Sequence, residues 1–262
     1  MSATPVLETD GLTLFFNSVA AFSDVSLSVD EGEIFAVIGP NGAGKTSLFN
    51  VISRVYRPAR GTIRYLGADL LRLRRAQIAG AGIARTFQNL GLFGNLSVLE
   101  NVLIGRHHLM RSGTLRGGLY LGFAQLEERS HRAAAMEALE FVGIAGVAHR
   151  PVHILPYGIQ KRVELARALA MQPRLLLLDE PVAGMSTAER GEITTLIRRM
   201  HERGYSIVLV EHDMGMVMQV AQRVLVLDFG RVIALGTPGE VQRDPRVIKA
   251  YLGAQLEEEA AV

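Results

Sequence analysis

A glycine-rich segment that directly follows an apolar run constrains this chain more than any other feature. The run is residues 33–38, Glu-Ile-Phe-Ala-Val-Ile, and it leads into Gly39, Pro40, Asn41, Gly42, Ala43, Gly44, Lys45, Thr46 and Ser47. The apolar run predicts a buried strand, and residues 47–52 continue as a plausible helix. Glycines let successive backbone N–H groups turn inward around an anion at such a helix N-terminus. We therefore expect a phosphate-binding loop between a strand and a helix.

The residue types in this loop also predict what it binds. The spacing is that of a Walker A motif, in which Lys45 brings positive charge to the terminal phosphates of a nucleotide. The hydroxyl of Thr46 is placed to reach Mg²⁺. A nucleotide and Mg²⁺ are therefore the expected ligands.

Length and composition narrow the class of protein. The 262 residues suffice for one large α/β domain with room for an inserted lobe. No apolar run reaches the length needed to cross a bilayer and no signal peptide is evident, so we expect the chain to stay in the cytoplasm. The absence of cysteine excludes disulfides and thiolate metal sites, and a net charge of +2 argues against a nucleic-acid-binding surface. Arg72, Arg74 and Arg75 are expected to form a solvated helix face.

Apolar patterning divides the chain into a core that is interrupted once. Predicted strands lie at residues 13–15, 25–29, 33–38, 61–65, 175–178, 207–210 and 224–227, and predicted helices at 47–52, 72–79, 123–142 and 193–200. A capping box at residues 97–100 opens the helical insertion, and a glycine-rich connection is expected over 111–122. A second N-cap is predicted at Thr237 and a frayed acidic tail at 257–259. Alternating strands and helices predict a mostly parallel sheet.

Two further apolar runs end in polar residues. Residues 175–178 are leucines followed by the carboxylates of Asp179 and Glu180, the Walker B form. Because adjacent strand residues point to opposite sides, we expect Asp179 to hold Mg²⁺ through water and Glu180 to polarise an attacking water. An ordinary acidic pair at a strand end is the alternative. His212 follows the run 207–210, where a parallel sheet presents ligands at its carboxyl edge, and is expected to sense the γ-phosphate.

The segment before the Walker B run decides between classes of nucleotide-binding protein. It comprises Leu155, Pro156, Tyr157, Gly158, Ile159 and Gln160 and continues to residue 170 as a helix rich in Ala, Arg and Leu. Walker A, this segment, Walker B and the histidine stand in the order and spacing of ABC-transporter ATPases, and the chain resembles that family over nearly its whole length. The resemblance implies ATP, Mg²⁺ and a dimer in which the signature segment of one subunit completes the ATP site of the other.

The same resemblance implies the architecture. It is an α/β P-loop NTPase (ABC ATPase) core with an N-terminal antiparallel β subdomain and an inserted α-helical subdomain. We expect one domain over residues 1–262, with the nucleotide-binding core in about 1–88 and 156–240, the helical subdomain in 89–155, and C-terminal helices and a tail in 241–262.

Individual roles follow from the resemblance by position. The adenine-stacking aromatic corresponds to Phe16, with Phe15 as the competing choice. Gln88 resembles the glutamine that reaches Mg²⁺ or the attacking water and reports to the membrane partner. The Mg²⁺ carboxylate, the general base and the switch histidine correspond to Asp179, Glu180 and His212.

Two departures from the broad family pattern point to a subfamily. Pro156 and Tyr157 stand where a serine and the first glycine of the signature are usual, so a hydroxyl contact to the γ-phosphate is missing. Ser186 stands where an aspartate usually ends the loop after Walker B, which leaves signalling through that position open. These features, with residues 210–214 and 236–253, resemble the ATP-binding subunits of branched-chain amino acid importers, and in particular the longer of their two ATPases.

That subfamily resemblance implies a place in a larger assembly. The chain would lie peripherally on the cytoplasmic face of the cell membrane and energise uptake of branched-chain or other hydrophobic amino acids. The implied partners are transmembrane permease subunits, a second ABC ATPase subunit (itself or a shorter paralogue) and, indirectly, a periplasmic solute-binding protein, with no nucleic acid. Leu92 and Phe93 are candidates for the groove that takes a cytoplasmic helix of the permease, with plain core as the alternative. A soluble ABC-type ATPase in assembly or scaffolding and the ATPase of a lipid-type exporter remain rival functions.

Overall fold

The computed structural model describes residues 5–86, 90–110 and 121–251. The strands are β1 (Pro5–Phe16), β2 (Val19–Asp30), β3 (Ile34–Ile38), β4 (Arg60–Tyr65), β5 (Ala68–Asp69), β6 (Ile83–Arg85), β7 (Leu175–Asp179), β8 (Ser206–Val210), β9 (Arg223–Asp228) and β10 (Arg231–Gly236). The α-helices are α1 (Lys45–Ile52), α2 (Val98–Gly105), α3 (Leu121–Phe141), α4 (Tyr157–Ala170), α5 (Thr187–Glu202), α6 (Met214–Val220) and α7 (Pro238–Arg243). No helix in these ranges is both long and apolar enough to span a bilayer.

A six-stranded sheet forms the centre of the molecule. Its order is β10-β9-β3-β8-β7-β6, and every neighbouring pair is parallel except β10 with β9. All residues of β3, β7 and β8 are buried, which agrees with their continuous apolar sequences. The mostly parallel sheet predicted from the alternation of strands and helices is therefore confirmed.

Alternate residues of the central strands enter two different hydrophobic cores. In β3, Phe35 and Val37 pack with α1 and with β1 and β2, whereas Ile34, Ala36 and Ile38 pack with the helices on the other face. This period of two is the geometry of a strand covered on both sides. The sheet is thereby held rigidly between two layers, and its carboxyl edge becomes a fixed platform.

The N-terminal sheet is larger than the sequence predicted. It has the order β2-β1-β4-β5, and β1 and β2 form an antiparallel hairpin of 12 residues on each side where only residues 13–15 and 25–29 were expected. Register shifts occur along β1, among them between Thr9 and Leu12 and between Leu12 and Leu14. Each shift interrupts the apolar alternation. The pattern was therefore recognisable only in short pieces.

The helix expected over residues 72–79 is wrong. The structure has two single 3-10 turns there, Leu70–Arg72 and Arg75–Gln77, separated by extended backbone at Leu73 and Arg74. Asp69 accepts a hydrogen bond from the backbone N–H of Leu71 and starts the first turn. Only Leu70 and Ile78 are buried in this stretch, so no apolar stripe supports a longer helix.

Three helices pack beside the sheet between the Walker A and Walker B elements. Gly105 of α2 packs closely on α4, since an added Cβ would lie 2.6 Å from the carbonyl oxygen of Arg167. The long helix predicted at 123–142 corresponds to α3, which runs from Leu121 to Phe141. Most of the predicted glycine-rich connection, residues 111–120, and the acidic tail 257–259 lie outside the described residues.

Candidate nucleotide-binding site

The central sheet brings three predicted motifs to one edge. Val37 of β3 is paired with Val210 of β8, and Val210 is paired with Asp179 of β7. The glycine-rich loop, His212 and Glu180 follow these positions directly, so the loops that carry them leave the sheet side by side. Gln88 would follow β6, the neighbour of β7, but residues 87–89 lie outside the described part of the chain. Carboxyl edges of parallel strands are where such folds bind ligands.

Glycines in the loop have two distinct structural reasons. At Gly39 an added Cβ would lie 2.0 Å from the carbonyl oxygen of Leu227, and at Gly44 it would lie 2.6 Å from that of Ala21. Both positions are therefore required for close backbone packing. Gly42 meets nothing within 4 Å, yet its φ of 78° is one that side-chain-bearing residues rarely adopt. The loop is thus anchored at its ends and open at Gly42.

Lys45 is folded back onto its own loop. It is 7% exposed, and its Nζ donates hydrogen bonds to the carbonyl oxygens of Gly39 at 2.7 Å and Pro40 at 2.9 Å. Burial lowers the pKa of Lys45, and the carboxylates of Glu180 and Asp179 oppose that shift. Both carboxylates therefore lie close enough to act on the lysine. The ammonium group is held where a phosphate could replace the two carbonyl contacts.

Asp179 is held from one side by an arginine that the sequence analysis did not single out. Arg85 Nη2 lies 2.8 Å from Asp179 Oδ2, and the two side chains are 9% and 2% exposed. Thr86 Oγ1 accepts a hydrogen bond from the backbone N–H of Asp179. Burial raises the pKa of Asp179, and the Arg85 guanidinium opposes that rise.

The other oxygen of Asp179 bears on whether a metal fits here. Asp179 Oδ1 is buried and has no hydrogen-bond partner among the described residues. The side chain of Thr46 lies at the exposed start of α1. Within the same ranges no group of three or more His, Cys, Asp or Glu residues could bind a metal unaided. Mg²⁺ in nucleotide sites is usually held by one or two carboxylates together with phosphate and water, so this donor set fits it.

The expected reason for the orientation of Glu180 is wrong. Strand β7 ends at Asp179, and Glu180 has a φ of 47°, in the left-handed region. Its backbone N–H donates to the carbonyl oxygen of Val210. The alternation of a strand therefore does not set its direction, and a single left-handed residue does. Such strained positions in non-glycine residues concentrate at functional sites.

His212 lies on an exposed loop that a buried acid holds in place. The His212 side chain is 56% exposed, and its Nδ1 is 3.8 Å from Glu211 Oε2. Glu211 is fully buried and accepts backbone hydrogen bonds from Val182, His212 and Asp213. Burial raises the pKa of Glu211, and these hydrogen bonds oppose the rise. Glu211, which the sequence analysis missed, thus ties the histidine loop to the segment after Walker B.

The signature segment packs against the segment that follows Walker B in the same chain. Helix α4 begins at Tyr157, and the ring of Tyr157 lies 3.6 Å from where a Cβ at Gly184 would be. A Cβ added at Gly158 would lie 2.5 Å from Glu189 Oε1, so the start of α4 packs closely on the Glu189 side chain. Ser186, noted above as a departure from the usual aspartate, caps α5 and forms a capping box with Glu189.

Two exposed aromatic side chains lie at the carboxyl end of β1, where the chain turns into β2. Phe15 and Phe16 are 45% and 44% exposed, so exposure does not separate the two predicted choices. The rings of Phe16 and Tyr56 are edge to face with centroids 5.2 Å apart. Tyr56 follows α1 and connects Phe16 to the helix that starts at the phosphate loop. The sequence analysis had no signal for Tyr56, because the pair spans 40 positions of chain.

Leu92 and Phe93, proposed from the sequence to line one groove, differ in burial. Leu92 packs against the hydrophobic core, whereas Phe93 is 55% exposed. The fully buried Asn101 accepts a hydrogen bond from the backbone N–H of Phe93 and donates one to its carbonyl oxygen. Ile154 is 50% exposed on the adjacent segment, where His153 donates to the carbonyl oxygen of Gly94. A backbone hydrogen bond between their sequence neighbours therefore joins the two segments that carry Phe93 and Ile154, and we call these two exposed side chains the apolar edge.

Comparison with known proteins decides the family. Residues 22–183 match the family model described as "ABC transporter". The chain belongs to the ABC transporter family. Residues 231–257 match a second model, "Branched-chain amino acid ATP-binding cassette transporter".

Curated members of the ABC transporter family resemble the chain over almost its full length. It is 38% identical over 250 residues to the high-affinity branched-chain amino acid transport ATP-binding protein BraF of Pseudomonas aeruginosa, covering 95% of this chain and 98% of that protein. It is 39% identical over 250 residues, with the same coverage, to LivG of Salmonella typhimurium, which has the same description. The resemblance inferred from the motifs is thereby confirmed.

Solved structures of ABC transporter cassettes confirm the expected fold class. The ADP conformation of an ATP-binding cassette of an ABC transporter superposes with a TM-score of 0.84 at 29% identity, covering 96% of this chain and all of that one. A dimeric ABC cassette bound to ADP and Pi gives a TM-score of 0.71 at 25% identity, covering 88% of this chain and 98% of that one.

Proposed function

We propose that this chain is the ATP-binding and ATP-hydrolysing subunit of an importer that energises uptake of branched-chain or other hydrophobic amino acids. The observation that carries the proposal is the match of the C-terminal segment 231–257 to the branched-chain amino acid transporter model, added to the ABC transporter match over 22–183. Relatives with branched-chain amino acid transport in their names match 95% of the chain at 38–39% identity. The subunit would act on the cytoplasmic face of the membrane.

ATP would be bound by the phosphate loop and by the Phe16–Tyr56 pair. Lys45 would exchange its bonds to Gly39 and Pro40 for the terminal phosphates, and the backbone N–H groups of the loop would surround the β-phosphate. Phe16, supported by Tyr56, would stack on the adenine ring. The loop is open at Gly42, which leaves space for the phosphates.

Asp179, Thr46 and Gln88 would hold Mg²⁺. When bound, Mg²⁺ would neutralise the charge that builds up on the phosphate oxygens. Asp179 suits this role because its Oδ1 is buried without a partner, which is costly unless a cation or donor meets it.

Hydrolysis would depend on two side chains at the same edge. Glu180 would accept a proton from the attacking water, in a direction set by its left-handed backbone. His212 would contact the γ-phosphate from the next loop, with Glu211 fixing that loop. Loss of the γ-phosphate would remove the contacts that favour the closed state of a dimer of ATPase subunits.

A second ABC ATPase subunit would complete the site with the signature segment at the start of its α4. A dimeric cassette bound to ADP and Pi has the same fold as this chain, which supports the proposal. The packing of Tyr157 on Gly184 and of Gly158 on Glu189 would hold each signature segment in a fixed position. The second subunit would be another copy or a shorter paralogue.

Transmembrane permease subunits would dock on the apolar edge of Phe93 and Ile154. Both side chains are about half exposed, and Asn101 fixes the backbone that presents Phe93. A permease helix docked there would contact Phe93, which follows Gln88 by a few positions in the sequence. A periplasmic solute-binding protein would act indirectly, through the permease.

An exporter of lipid-type molecules is the alternative that a specific observation favours. The chain is 33% identical over 251 residues to the lipopolysaccharide export system ATP-binding protein LptB of Haemophilus influenzae. Amino acid import is preferred for two reasons. The amino acid transport proteins are more similar to this chain than LptB is, and the C-terminal segment matches the branched-chain amino acid transporter model.

Uptake measurement in the organism that encodes the chain tests the proposal. Deleting the gene should reduce uptake of labelled leucine, isoleucine or valine, and the wild-type gene should restore it. Glu180→Gln should fail to restore it, whereas Glu202→Gln, a change at the last residue of α5, should succeed. Unchanged uptake of all three amino acids in the deletion strain would contradict the proposed solute class. Purification from detergent-solubilised membranes without any permease would support the scaffolding function instead.

A further inference from the structure

Arg85 connects three elements around the proposed metal carboxylate. Its Nη1 donates to Asn50 Oδ1 at 2.7 Å and to Ser53 Oγ at 2.8 Å, both near the end of α1. Its Nη2 donates to Asp179 Oδ2 at 2.8 Å. The guanidinium also lies over the ring of Phe49, 5.6 Å from its centroid. One planar group is therefore locked between the helix of the phosphate loop and the Walker B strand.

The geometry assigns Arg85 a positioning role that rests on the proposed function: it holds Asp179 by Oδ2 so that Oδ1 is presented to the metal. A carboxylate on its own can rotate and offer either oxygen or both. Here Oδ2 is engaged by a nearly buried guanidinium, while Oδ1 is buried without a partner. Residues that orient a metal ligand in this way typically change metal affinity or activity 10–100-fold when removed.

Lysine could not replace Arg85. The guanidinium donates in two directions, with Nη1 toward α1 and Nη2 toward Asp179. An ammonium group is a point charge without this fixed fork, so Arg85→Lys would give up one of the two connections.

Arg85 should affect binding of the metal and not binding of the nucleotide itself. The hydrogen bonds that Arg85 donates to Asp179, Asn50 and Ser53 go to the Walker B strand and to the end of α1, at the far end of that helix from the phosphate loop. Its removal should therefore weaken the contribution of Mg²⁺ to ATP binding and leave ATP binding without a divalent cation nearly unchanged. A residue that only stabilised the fold would change both.

Arg223 provides a matched control. It also pairs with a carboxylate, here through both oxygens, with Glu33 Oε1 at 2.6 Å and Glu33 Oε2 at 2.8 Å, and it lies over the ring of Phe35 at 5.4 Å. It stands at the start of β9, at the opposite edge of the sheet from the phosphate loop. Arg223→Gln thus removes an arginine that contacts both a carboxylate and an aromatic ring, at a place far from the proposed metal.

The experiment compares ATP binding by calorimetry in EDTA, in Mg²⁺ and in Mn²⁺, with bound Mn²⁺ counted by electron paramagnetic resonance. Arg85→Gln should reduce the affinity for Mn²⁺ in the presence of ATP by about 10-fold or more, and leave the ATP affinity in EDTA within about twofold of wild type. Arg223→Gln should change neither quantity. Metal affinity like that of wild type in Arg85→Gln, or an equal loss in EDTA, would overturn the inference.

A milder variant keeps the test valid if Arg85→Gln does not fold. Asn50→Ala leaves Arg85 and Asp179 in place and removes one support of the guanidinium, so it should weaken metal affinity by about threefold. No change in that variant would also count against the role. A wild-type protein that binds ATP equally with and without divalent cations would overturn the proposed function itself, and the inference with it.

Discussion

Lys45 Nζ lies 2.7 Å from the carbonyl oxygen of Gly39, so the lysine of the phosphate loop is bonded to the first residue of its own loop. Nζ also donates a second hydrogen bond, to the carbonyl oxygen of Pro40. In this arrangement the positive charge is already buried near the place where phosphates would lie. Binding a triphosphate would replace two neutral acceptors by charged ones, which favours the exchange.

Replacing Lys45 should abolish tight nucleotide binding. Lys45→Ala removes a charged donor whose bonds to phosphate are each worth about 1.5–3 kcal/mol, so ATP affinity should fall by at least about 10-fold. Titration with a fluorescent ATP analogue measures this directly. Lys249→Ala, on the exposed surface near the C-terminus, is the control and should bind as wild type. If Lys45→Ala and wild type bound ATP with equal affinity, Lys45 would not be part of the nucleotide site.

Two glycines of the loop should differ in their effect on stability. Gly39→Ala would place a Cβ 2.0 Å from a backbone oxygen, so the free energy of unfolding should fall by about 3 kcal/mol. Gly42→Ala meets no neighbour within 4 Å and should cost only about 1–2 kcal/mol for its left-handed backbone. Urea unfolding of both variants without nucleotide checks the order. A larger loss in Gly42→Ala would show that the loop packs differently.

Phe16 and Phe15 can be told apart by nucleotide affinity. Phe16→Ala should weaken ATP binding by about 5-fold or more, since stacking of a base on an aromatic ring is worth about 1–3 kcal/mol. Phe15→Ala is the matched control, because Phe15 is equally exposed but does not pair with Tyr56. Binding of inorganic triphosphate, which has no base, should be the same in both variants. A loss in Phe15→Ala alone would assign the stacking to Phe15.

Motif-based prediction worked where the signal is local in sequence. Lys45, Asp179 and His212 each follow an apolar run, and strand order then places them at one edge of the sheet. The capping box at Ser97 was predicted and is present, because it needs only a residue and its neighbour three positions on. The similar box at Ser186 was overlooked, although the same signal was available there.

The features that sequence could not supply are long-range or conformational. Arg85 is paired with a residue 94 positions away, and nothing in its own neighbourhood marks it as a partner of Asp179. The left-handed backbone of Glu180 also has no signature in its residue type, since glutamate rarely adopts it. Residues 72–79 were predicted to form a helix, whereas the structure has only single turns at 70–72 and 75–77, because few side chains there are buried.

The central claim is that this edge of the sheet hydrolyses ATP with Glu180 as the general base. The most direct measurement is phosphate release by Glu180→Gln, in protein isolated with the membrane subunits that accompany it, together with the ATP retained after gel filtration. We predict that turnover falls by at least about 100-fold while ATP stays bound to an assembly containing two ATPase subunits, and that Glu202→Gln behaves as wild type. Turnover in Glu180→Gln equal to that of wild type would contradict the account.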